Sequence, residues 1–358
     1  MENATMQKLL TRVRELEGVR LNEVIPPSCY ERNLARGLLG FFGSYALWAA
    51  GLALVYASPH WSLWIPAWLL SGLGGWGLHC IAHDCGHGSF SSSRRANYAI
   101  GQIALMPLFY PFHGWRHVHN LHHTHTNSLE RDTDWRPVSR EVYERMGLID
   151  RVIYRGTRSY FFWLGTAHYQ LVSGFRPGFF PAQKHRAEVW RSIIAVFVLG
   201  VPALVALFQV GGPVALLKYA LGPWLGIHAW FSAVTLMHHT SEELPFLPVK
   251  TWTKNASKIL LTTDYRYSKL LELCTHNINV HTAHHIAPKI PFYHLPEAQA
   301  ALKQSFPGFV REKPFSFAEL GRAVRRCQLY DPATGFYRAF SDRTTSASSL
   351  IDAEASPN

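Results

Sequence analysis

The sequence predicts an all-α integral membrane protein in which four transmembrane helices form two hairpins. Three observations lead to this prediction: four long apolar runs, short links without Lys or Arg within each pair of runs, and a low content of charged residues. Of the 358 residues, 48% are hydrophobic and 16% are charged, whereas about 25% of the residues of a typical soluble domain are charged. Aromatic residues make up 13% of the chain, which is common at a lipid–water boundary.

Each apolar run approaches the roughly 20 residues that a helix needs to cross a bilayer. In chain order the runs cover about 38–57, 63–82, 193–210 and 214–237. The links within the two pairs, SPHWS and GGP, contain neither Lys nor Arg, so each pair is predicted to form a hairpin. The alternative interpretation is that the runs are buried helices of a soluble protein. Four runs of this length with such links favour the transmembrane interpretation.

The distribution of Lys and Arg predicts the orientation of the hairpins. Both residue types are frequent in 94–191 and 250–343 and absent from the two short links. By the positive-inside rule, the long segments and both termini are expected in the cytoplasm. The same distribution of Lys and Arg explains the formal net charge of +11. A nucleic-acid partner is not needed to explain this charge, and the sequence shows no nucleic-acid-binding motif. Five scattered cysteines without a CxxC pair suit a reducing compartment.

This pattern divides the chain into three parts. Residues 1–37 are predicted to be a cytosolic N-terminal segment that is charged and helix-forming, unlike a signal peptide. Residues 38–310 would form the membrane domain, and 311–358 a C-terminal cytosolic segment whose end, SDRTTSASSLIDAEASPN, is expected to be disordered. Two shorter apolar stretches, Tyr98–Phe112 and Ser159–Phe175, are predicted to be interfacial helices that lie on the membrane.

Histidines are concentrated in four motifs near the ends of the apolar runs. The motifs are H-x-x-x-H at His83 and His87, H-x-x-H-H at His119, His122 and His123, a pair at His238 and His239, and H-x-x-H-H again at His281, His284 and His285. In the three spaced motifs, these intervals bring the side chains onto one face of a helix. All four motifs fall on the predicted cytoplasmic side of the membrane.

These histidines predict a site for two metal ions. Neutral imidazole binds iron, zinc, copper and nickel well, and the motifs offer more imidazoles than the four ligands of a structural zinc. The first motif differs from the H-E-x-x-H of zinc proteases because Asp84 replaces the glutamate, and the Glu-x-x-His pairs of ferritin-like enzymes are absent. An imidazole site at a membrane surface suits iron that activates oxygen for a reaction on a lipid. A zinc-bearing membrane hydrolase or receptor is the alternative class.

Four segments of the sequence resemble one known family. They are IPPSCYERN (Ile25–Asn33), AHDCGHGSF (Ala82–Phe90), WRHVHNLHHTHTNSLERD (Trp115–Asp132) and HNINVHTAHHIAPKIPFYHL (His276–Leu295). Through them the chain resembles the membrane fatty-acid desaturases, in particular acyl-lipid desaturases of the Δ12/ω3 type, from about residue 20 to about residue 310. The resemblance implies that the four transmembrane helices carry a cytosolic helical cap holding a di-iron site.

The resemblance also implies which residues bind the metal. The family's motifs fall on the histidines of the three spaced motifs and on one histidine after the fourth run, which gives the set His83, His87, His119, His122, His123, His238, His281, His284 and His285. His239 competes with His238 for the last position. An Asn that some relatives have four residues before this histidine is replaced by Val234 here, so its role is not carried over. No catalytic residue beyond the metal ligands is implied.

The activity implied is that of an O2-dependent oxidoreductase that introduces a cis double bond, at Δ12 or ω3, into acyl chains of membrane lipids. Two iron ions would be the cofactor and O2 the co-substrate. A related di-iron hydroxylase, ketolase or acetylenase, acting on a lipid, a carotenoid or a carrier-bound acyl chain, is the alternative, because the outcome depends on how the substrate is placed.

The implied partners are the membrane, an acyl lipid and an electron donor. The chain lacks the His-Pro-Gly-Gly segment of a fused cytochrome b5 domain, so a separate donor is expected, either ferredoxin or a separate cytochrome b5. The double-bond position, the acyl carrier (glycerolipid, CoA or acyl carrier protein) and the oligomeric state stay open.

Several polar residues near the motifs are candidates for supporting roles. Asp84, Asp132 and Asp134 could orient ligand imidazoles through the second ring nitrogen, with a solvated charge or a helix cap as the alternative for each. His79 precedes His83 by about one turn, at a position where the family usually has another residue, and is predicted to support the site or to pack. Supporting or surface roles are also predicted for His117, His125 and His276.

Overall fold

The computed structural model describes residues 2–342, with side chains from residue 4 onward. The tail predicted to be disordered lies outside the described residues from residue 343 on. Helices make up most of the described chain. In chain order the α-helices are α1 (Glu2–Glu15), α2 (Leu34–Ala57), α3 (Trp64–His87), α4 (Arg94–Ala104), α5 (Phe112–His125), α6 (Arg140–Arg145), α7 (Leu148–Thr157), α8 (Gly165–Tyr169), α9 (Gln183–Leu216), α10 (Gly222–His239), α11 (Lys254–Leu260), α12 (Lys269–Cys274), α13 (His281–Ile286), α14 (Leu295–Ser305) and α15 (Phe317–Arg326).

Short strands form two small sheets of two strands each in the described chain. The strands are β1 (Thr263–Arg266), β2 (Arg311–Pro314), β3 (Leu329–Tyr330) and β4 (Tyr337–Arg338). β1 and β2 are parallel, with Thr263 opposite Arg311, and β3 and β4 are antiparallel. The parallel pair joins the start of the C-terminal segment to the chain just before the third spaced histidine motif.

Two helical runs are long and apolar enough to cross a membrane, by length and composition: α2 and the 57-residue run Gln183–His239. The longer run is interrupted, because Gly211 and Gly212 leave the helical backbone angles, and Gly212 has a φ of 61° that glycine adopts without strain. This break falls in the link predicted between the third and fourth apolar runs. The second predicted run forms α3, a helix of 24 residues, in which glycines, tryptophans and histidines lower the hydropathy.

The stretches predicted to be interfacial helices are not single helices. In Tyr98–Phe112, α4 ends and a 3-10 turn at Met106–Leu108 follows, after which Phe109 has a φ of 51°. Two prolines flank this break, and proline cannot donate the hydrogen bond that would continue a helix. Ser159–Phe175 contains α8, which passes into a π-helical turn at Gln170–Gly174. The position of both stretches relative to a membrane stays a prediction.

α3 packs between α2 and α10, and glycines allow the close approach. A Cβ atom at Gly72 would lie 2.3 Å from the carbonyl carbon of Gly226 in α10, and one at Gly74 would lie 2.3 Å from the backbone nitrogen of Trp48 in α2. Small residues at helix contacts are typical of membrane bundles. This packing sets the rotation of α3 and α10 about their axes, and so the direction in which the histidines at their C-terminal ends point.

Beyond the C-terminal ends of α3 and α10, α11, α13 and α14 pack together over a separate core. Leu21, Ile259 and Ala283 are among its buried side chains. The N-terminal helix α1 contacts α11, and Arg12 Nη2 donates a hydrogen bond of 2.5 Å to the carbonyl oxygen of Gly308. The N-terminal segment is therefore part of the same helical cap as the third spaced histidine motif.

Candidate metal centre

All the histidines of the four motifs except His238 lie in two adjoining groups. The first group consists of His83 and His87 of α3, His119 and His123 of α5 and His284 of α13, and each offers one nitrogen within 4.8 Å of all the others. The Nε2 atoms of His119 and His284 each lie 3.0 Å from Nε2 of His123. Three helices that are distant in sequence therefore supply the first group.

The second group contains histidines of α5, α10 and α13. Nitrogens of His122, His239 and His285 lie within 4.8 Å of one another. The Nε2 atom of His281 is 3.0 Å from Nε2 of His239 and 3.0 Å from Nε2 of His285. The Nε2 atoms of His239 and His285 are 3.1 Å apart, so His239, His281 and His285 form a nearly equilateral triangle of nitrogens.

The two H-x-x-H-H motifs divide their histidines between the groups in opposite ways. In α5 the outer pair, His119 and His123, belongs to the first group and the middle residue, His122, to the second. In α13 the outer pair belongs to the second group and the middle residue, His284, to the first. A single turn of each helix therefore reaches both groups, because the outer residues, four apart, lie only about 40° from each other around the helix axis, whereas the middle residue lies about 100° from the outer residue that follows it.

The structure places His239, and not His238, in the second group. The Nδ1 atom of His238 donates a hydrogen bond of 2.7 Å to the carbonyl oxygen of Thr263 in β1. Its ring stacks on His281 with 4.1 Å between the centroids. Successive residues of a helix point about 100° apart, so only one of the two can face the group, and the rotation of α10 selects His239.

Hydrogen bonds show where the protons of the second group lie. The Nδ1 atom of His281 is 3.3 Å from the carbonyl oxygen of Ile278, and that of His239 is 3.4 Å from the carbonyl oxygen of Leu261. A carbonyl only accepts, so both imidazoles carry their proton on Nδ1 and present a lone pair at Nε2.

His285 follows the same pattern through a threonine. Its Nδ1 atom lies 3.2 Å from Thr126 Oγ1, and that hydroxyl already donates to the carbonyl oxygen of His122 at 2.8 Å. The threonine oxygen therefore accepts from His285, whose Nε2 is left with a lone pair.

Three lone pairs that face one another at 3.0–3.1 Å repel unless a cation lies between them. Metal–imidazole bonds of about 2.1 Å place adjacent nitrogens about 3 Å apart when the angle between the bonds is near a right angle. The measured separations match this value. The residues present therefore fit a metal ion, and imidazole is a good ligand for iron as well as for zinc.

A buried carboxylate orients His122. His122 Nδ1 donates to Asp132 Oδ1 at 2.8 Å, and Asp132 Oδ2 accepts the backbone N–H of Asn127 at 2.6 Å. Burial lowers the pKa of His122, but the charge of Asp132 and the hydrogen bond to it raise this pKa, and the net shift is upward. The predicted orienting role therefore holds for Asp132, which fixes the tautomer that presents Nε2 of His122 to the second group.

The other two predicted carboxylates do not orient an imidazole. Asp84 Oδ1 is 3.8 Å from His83 Nδ1, too far for a hydrogen bond, while Oδ2 accepts the backbone N–H of Phe292 at 2.9 Å. Asp84 thus attaches α3 to the segment that follows α13. Asp134 is half-buried in the wall of the cavity beside His122, and desolvation raises the pKa of its carboxyl to about 6.

Asp264 on β1 supports the site and was not among the predicted residues. Its Oδ1 atom accepts the backbone N–H groups of His281 at 2.5 Å and of Thr282 at 2.8 Å, and its Oδ2 atom accepts from Gln299 Nε2. It thereby satisfies the free donors at the start of α13. The start of α13 is buried and has no local capping side chain, which indicates that a partner for its N–H groups must exist elsewhere. The position of that partner, Asp264, follows no sequence motif.

The remaining histidines near the motifs lie outside the two groups. His117 Nε2 is 2.9 Å from Glu188 Oε2, and these two residues form a third cluster with His113. His276 Nε2 is 2.8 Å from Ser44 Oγ and so connects the third spaced motif to α2. These placements agree with supporting roles.

Burial keeps five imidazoles of α5 and α13 neutral. It lowers the pKa of each well below 6.5, and the neighbouring imidazoles add to the effect; these histidines are His119, His123, His281, His284 and His285. Neutral imidazole is the form that binds a metal, because the ligand must be deprotonated.

A small cavity of about 40 Å³ adjoins both groups. Trp76, His79, Trp115 and Phe231 form much of its wall, and histidines of both groups reach it. The cavity is therefore mostly apolar, with its polar atoms concentrated at the two imidazole groups, as expected for a site that binds an apolar chain and excludes water.

Comparison with known proteins shows relatives along nearly the whole chain. The family model described as fatty acid desaturase matches residues 59–313. The "sn-1 oleoyl-lipid 12-desaturase" of Picosynechococcus sp. is 35% identical over 92% of this chain and 96% of its own length, and the protein of the same name from Synechocystis sp. is 34% identical over 91% and 93%. The "Omega-6 fatty acid desaturase, chloroplastic" of Glycine max is 31% identical over 88% of this chain and 74% of its own length.

The matched region contains all three spaced histidine motifs and the end of α10, so the family match covers both imidazole groups. The resemblance predicted from the four sequence segments is confirmed. The chain belongs to the fatty acid desaturase family, in its acyl-lipid Δ12 group, and is an oxidoreductase of lipid metabolism.

Proposed function

We propose that this protein is a membrane di-iron desaturase that introduces a cis double bond at C12 of an oleoyl chain esterified in a membrane lipid. The observation that carries the proposal is the pair of adjoining imidazole groups on one apolar cavity. The names of the cyanobacterial relatives favour the Δ12 position over ω3.

We propose two sets of metal ligands within this site. His83, His87, His119, His123 and His284 would hold one iron ion, and His122, His239, His281 and His285 the other. When bound, iron supplies the redox chemistry with O2 that breaks unactivated carbon–hydrogen bonds, which side chains alone cannot do. Relative to the set implied by the resemblance, His239 takes the place of His238.

The side chains of this protein would position the reaction. Trp76, Trp115 and Phe231 exclude water from the cavity and confine the acyl chain beside both groups. Asp132 holds the proton of His122 on Nδ1, so that Nε2 stays free for the metal. Preorganised placement of this kind decides which carbon reacts, because an error of about 1 Å is costly.

The proposed topology has four transmembrane helices with the cap and both termini in the cytoplasm. Three observations support it: the break at Gly211–Gly212, the apolar composition of α2 and of the run Gln183–His239, and the packing of α1 on the cap. The domain limits 1–37, 38–310 and 311–358 belong to the same proposal. A single Cys placed at Gly212 in a cysteine-free variant should react with an impermeant maleimide from the outside of intact cells, and one at Lys250 only after lysis. The opposite labelling pattern would overturn the topology.

The electron donor is proposed to be a separate carrier, ferredoxin or a cytochrome b5. The net charge of +11 and exposed cap residues such as Lys254 and Lys289 would favour an acidic partner. Reversing these two charges should slow electron transfer without changing the iron content, and unchanged turnover would remove this part of the proposal.

The full proposal is tested by expression in a host that supplies ferredoxin, followed by fatty-acid analysis with location of double bonds. An 18-carbon product with double bonds at C9 and C12 is expected, together with about two iron ions per purified chain. His122→Ala and His284→Ala should abolish the product and still insert into the membrane. A hydroxylated or acetylenic product would favour the related oxygenase activities, and zinc without any redox activity would overturn the proposal.

A further inference from the structure

His79 is a buried polar residue whose ring nitrogens have no partner among the described residues. It lies in α3, one turn before His83, and 3% of its surface is exposed. Neither Nδ1 nor Nε2 has a hydrogen bond in residues 2–342, although a neutral imidazole always carries one N–H donor and one acceptor. Leaving such a donor unpaired in an apolar place is costly, so an imidazole at this position needs a partner from outside the chain.

Aromatic rings surround the His79 side chain on several sides. The ring centroids of Trp76, Trp115 and Phe231 lie 5.0, 4.9 and 4.0 Å from that of His79, and Trp76 is stacked on it. These rings have no lone-pair acceptor, so any contact of the His79 N–H with them is a weak one to a π face, such as that of Trp115, whose ring stands at 79° to the imidazole. The space that His79 borders is the cavity that adjoins both histidine groups.

We propose that His79 is a specificity-determining residue that donates its N–H to the π electrons of a double bond already present in the bound acyl chain. The inference rests on the proposed function, since it assumes that the cavity holds an oleoyl chain. In such a chain the double bond at C9 is separated from the reaction position at C12 by a single methylene. His79 is about 6 Å along α3 from the metal ligand His83, within reach of carbons this close to the reacting one.

The contact would select a monounsaturated chain over a saturated one. The π face of an alkene accepts a weak hydrogen bond from N–H. A saturated chain of the same length offers no acceptor and leaves the buried donor of His79 with only weak contacts to the surrounding aromatic faces. The selectivity thus comes from the unpaired donor as much as from the contact, in the way that buried polar groups reject ligands that cannot satisfy them.

The test is a competition between chains in membranes that contain the full-length protein. Cells receive equal amounts of isotopically labelled cis-9 and saturated 18-carbon acids, and the ratio of the two products desaturated at C12 is measured for each variant, corrected for incorporation into lipid. His79→Phe keeps an aromatic ring without a donor and should lower the preference for the cis-9 chain about five- to tenfold. His79→Gln keeps an N–H group and should retain most of the preference.

A control variant separates this effect from a general disturbance of the cavity. Thr235 also lines the cavity, but its hydroxyl already donates to the carbonyl oxygen of Phe231 and accepts from Trp135 Nε1. Thr235→Val should leave the ratio within about twofold of the unaltered protein, whatever it does to the rate. A preference unchanged in His79→Phe, or lowered equally in all three variants, would overturn the proposal. The proposal would also be overturned if His79→Phe lowered the rate equally for both chains and increased the O2 consumed per product. That result would indicate that His79 holds a water molecule.

Binding gives a second measurement if His79→Phe makes too little product. The purified protein should be stabilised against heat more by a cis-9 lipid than by its saturated analogue, and His79→Phe should lose that difference. An equal difference in the variant would contradict the inference. Failure of the proposed function is distinguishable, because the unaltered protein would then place no double bond at C12 in any chain.

Discussion

His122 Nδ1 lies 2.8 Å from Asp132 Oδ1, and both side chains are almost entirely buried. The Asp132→Asn variant keeps the shape of this pair and removes its charge. We expect metal affinity to fall about ten- to hundredfold, because the carboxylate no longer holds His122 in the binding tautomer. Iron content after dialysis against a chelator series measures this. Asp150→Asn, on an exposed turn of α7, is the matched control, and equal iron retention in both variants would contradict the assignment.

His239 and His238 can be distinguished by their effects on metal content. His239→Ala removes one corner of the nitrogen triangle, so we expect the protein to bind about one iron ion in place of two and to make no product. His238→Ala removes a hydrogen bond to β1 and should cost about 1 kcal/mol of stability while both metals remain. Metal analysis and unfolding of the two purified variants provide the comparison. The reverse result would restore His238 as the ligand.

Stability should fall as the solution becomes acidic below about pH 6.5. The five histidines of α5 and α13 whose pKa is lowered stay neutral in the folded protein, whereas the unfolded chain takes up protons as the pH falls through 6.5. Asp134 and Asp264 act in the opposite direction, since burial raises the pKa of each carboxyl from 3.8 to about 6 and their contribution is lost as the pH rises through that range.

Asp132 raises the pKa of His122, so His122 acts in the same direction as the two carboxyls. The five histidines outweigh these three groups, so the net slope should follow the five histidines. Unfolding midpoints of the metal-free protein in detergent between pH 5 and pH 8 measure the slope. Bound iron should be released over the same range, because protons compete for the same nitrogens. A stability that rises from pH 7 to pH 5 would contradict the prediction.

The contact between α3 and α10 should not tolerate a side chain. In Gly72→Val the new atoms would meet the backbone of Gly226, and the helices would have to separate at a cost of about 1–3 kcal/mol or more. We expect a lower melting temperature and reduced iron content, since His83 and His239 lie at the ends of these helices. Gly43→Ala in α2 meets nothing within 4 Å and serves as the control. Full iron content in Gly72→Val would show that the groups form without this contact.

Much of the candidate site follows from the sequence, because spacing within a helix determines which side chains share a face. Eight of the nine predicted ligands lie in the two groups for this reason. The ninth could not be decided from sequence, since His238 and His239 differ only in direction and that direction depends on how α10 packs against α3. The role of Asp264 could not be predicted from the sequence either, because its carboxylate accepts from backbone N–H groups of a helix that begins 17 residues later.

The fold was predictable to a similar extent. Apolar composition indicated the runs that became α2, α3 and the interrupted run Gln183–His239. The break in Tyr98–Phe112 was missed because apolar periodicity hides the effect of two prolines. The parallel pairing of β1 with β2 joins segments that are distant in sequence, and no local sequence pattern predicts such a contact.

The reversed division of the α5 and α13 motifs has a consequence for how this centre can vary through evolution. Each helix contributes to both groups within a single turn, so one residue inserted into or deleted from either motif would turn part of that motif by about 100° and disturb both groups at once. A change in the spacing of either motif is therefore expected to remove nitrogens from both groups, whereas a wall residue such as His79 can be replaced without altering the two groups.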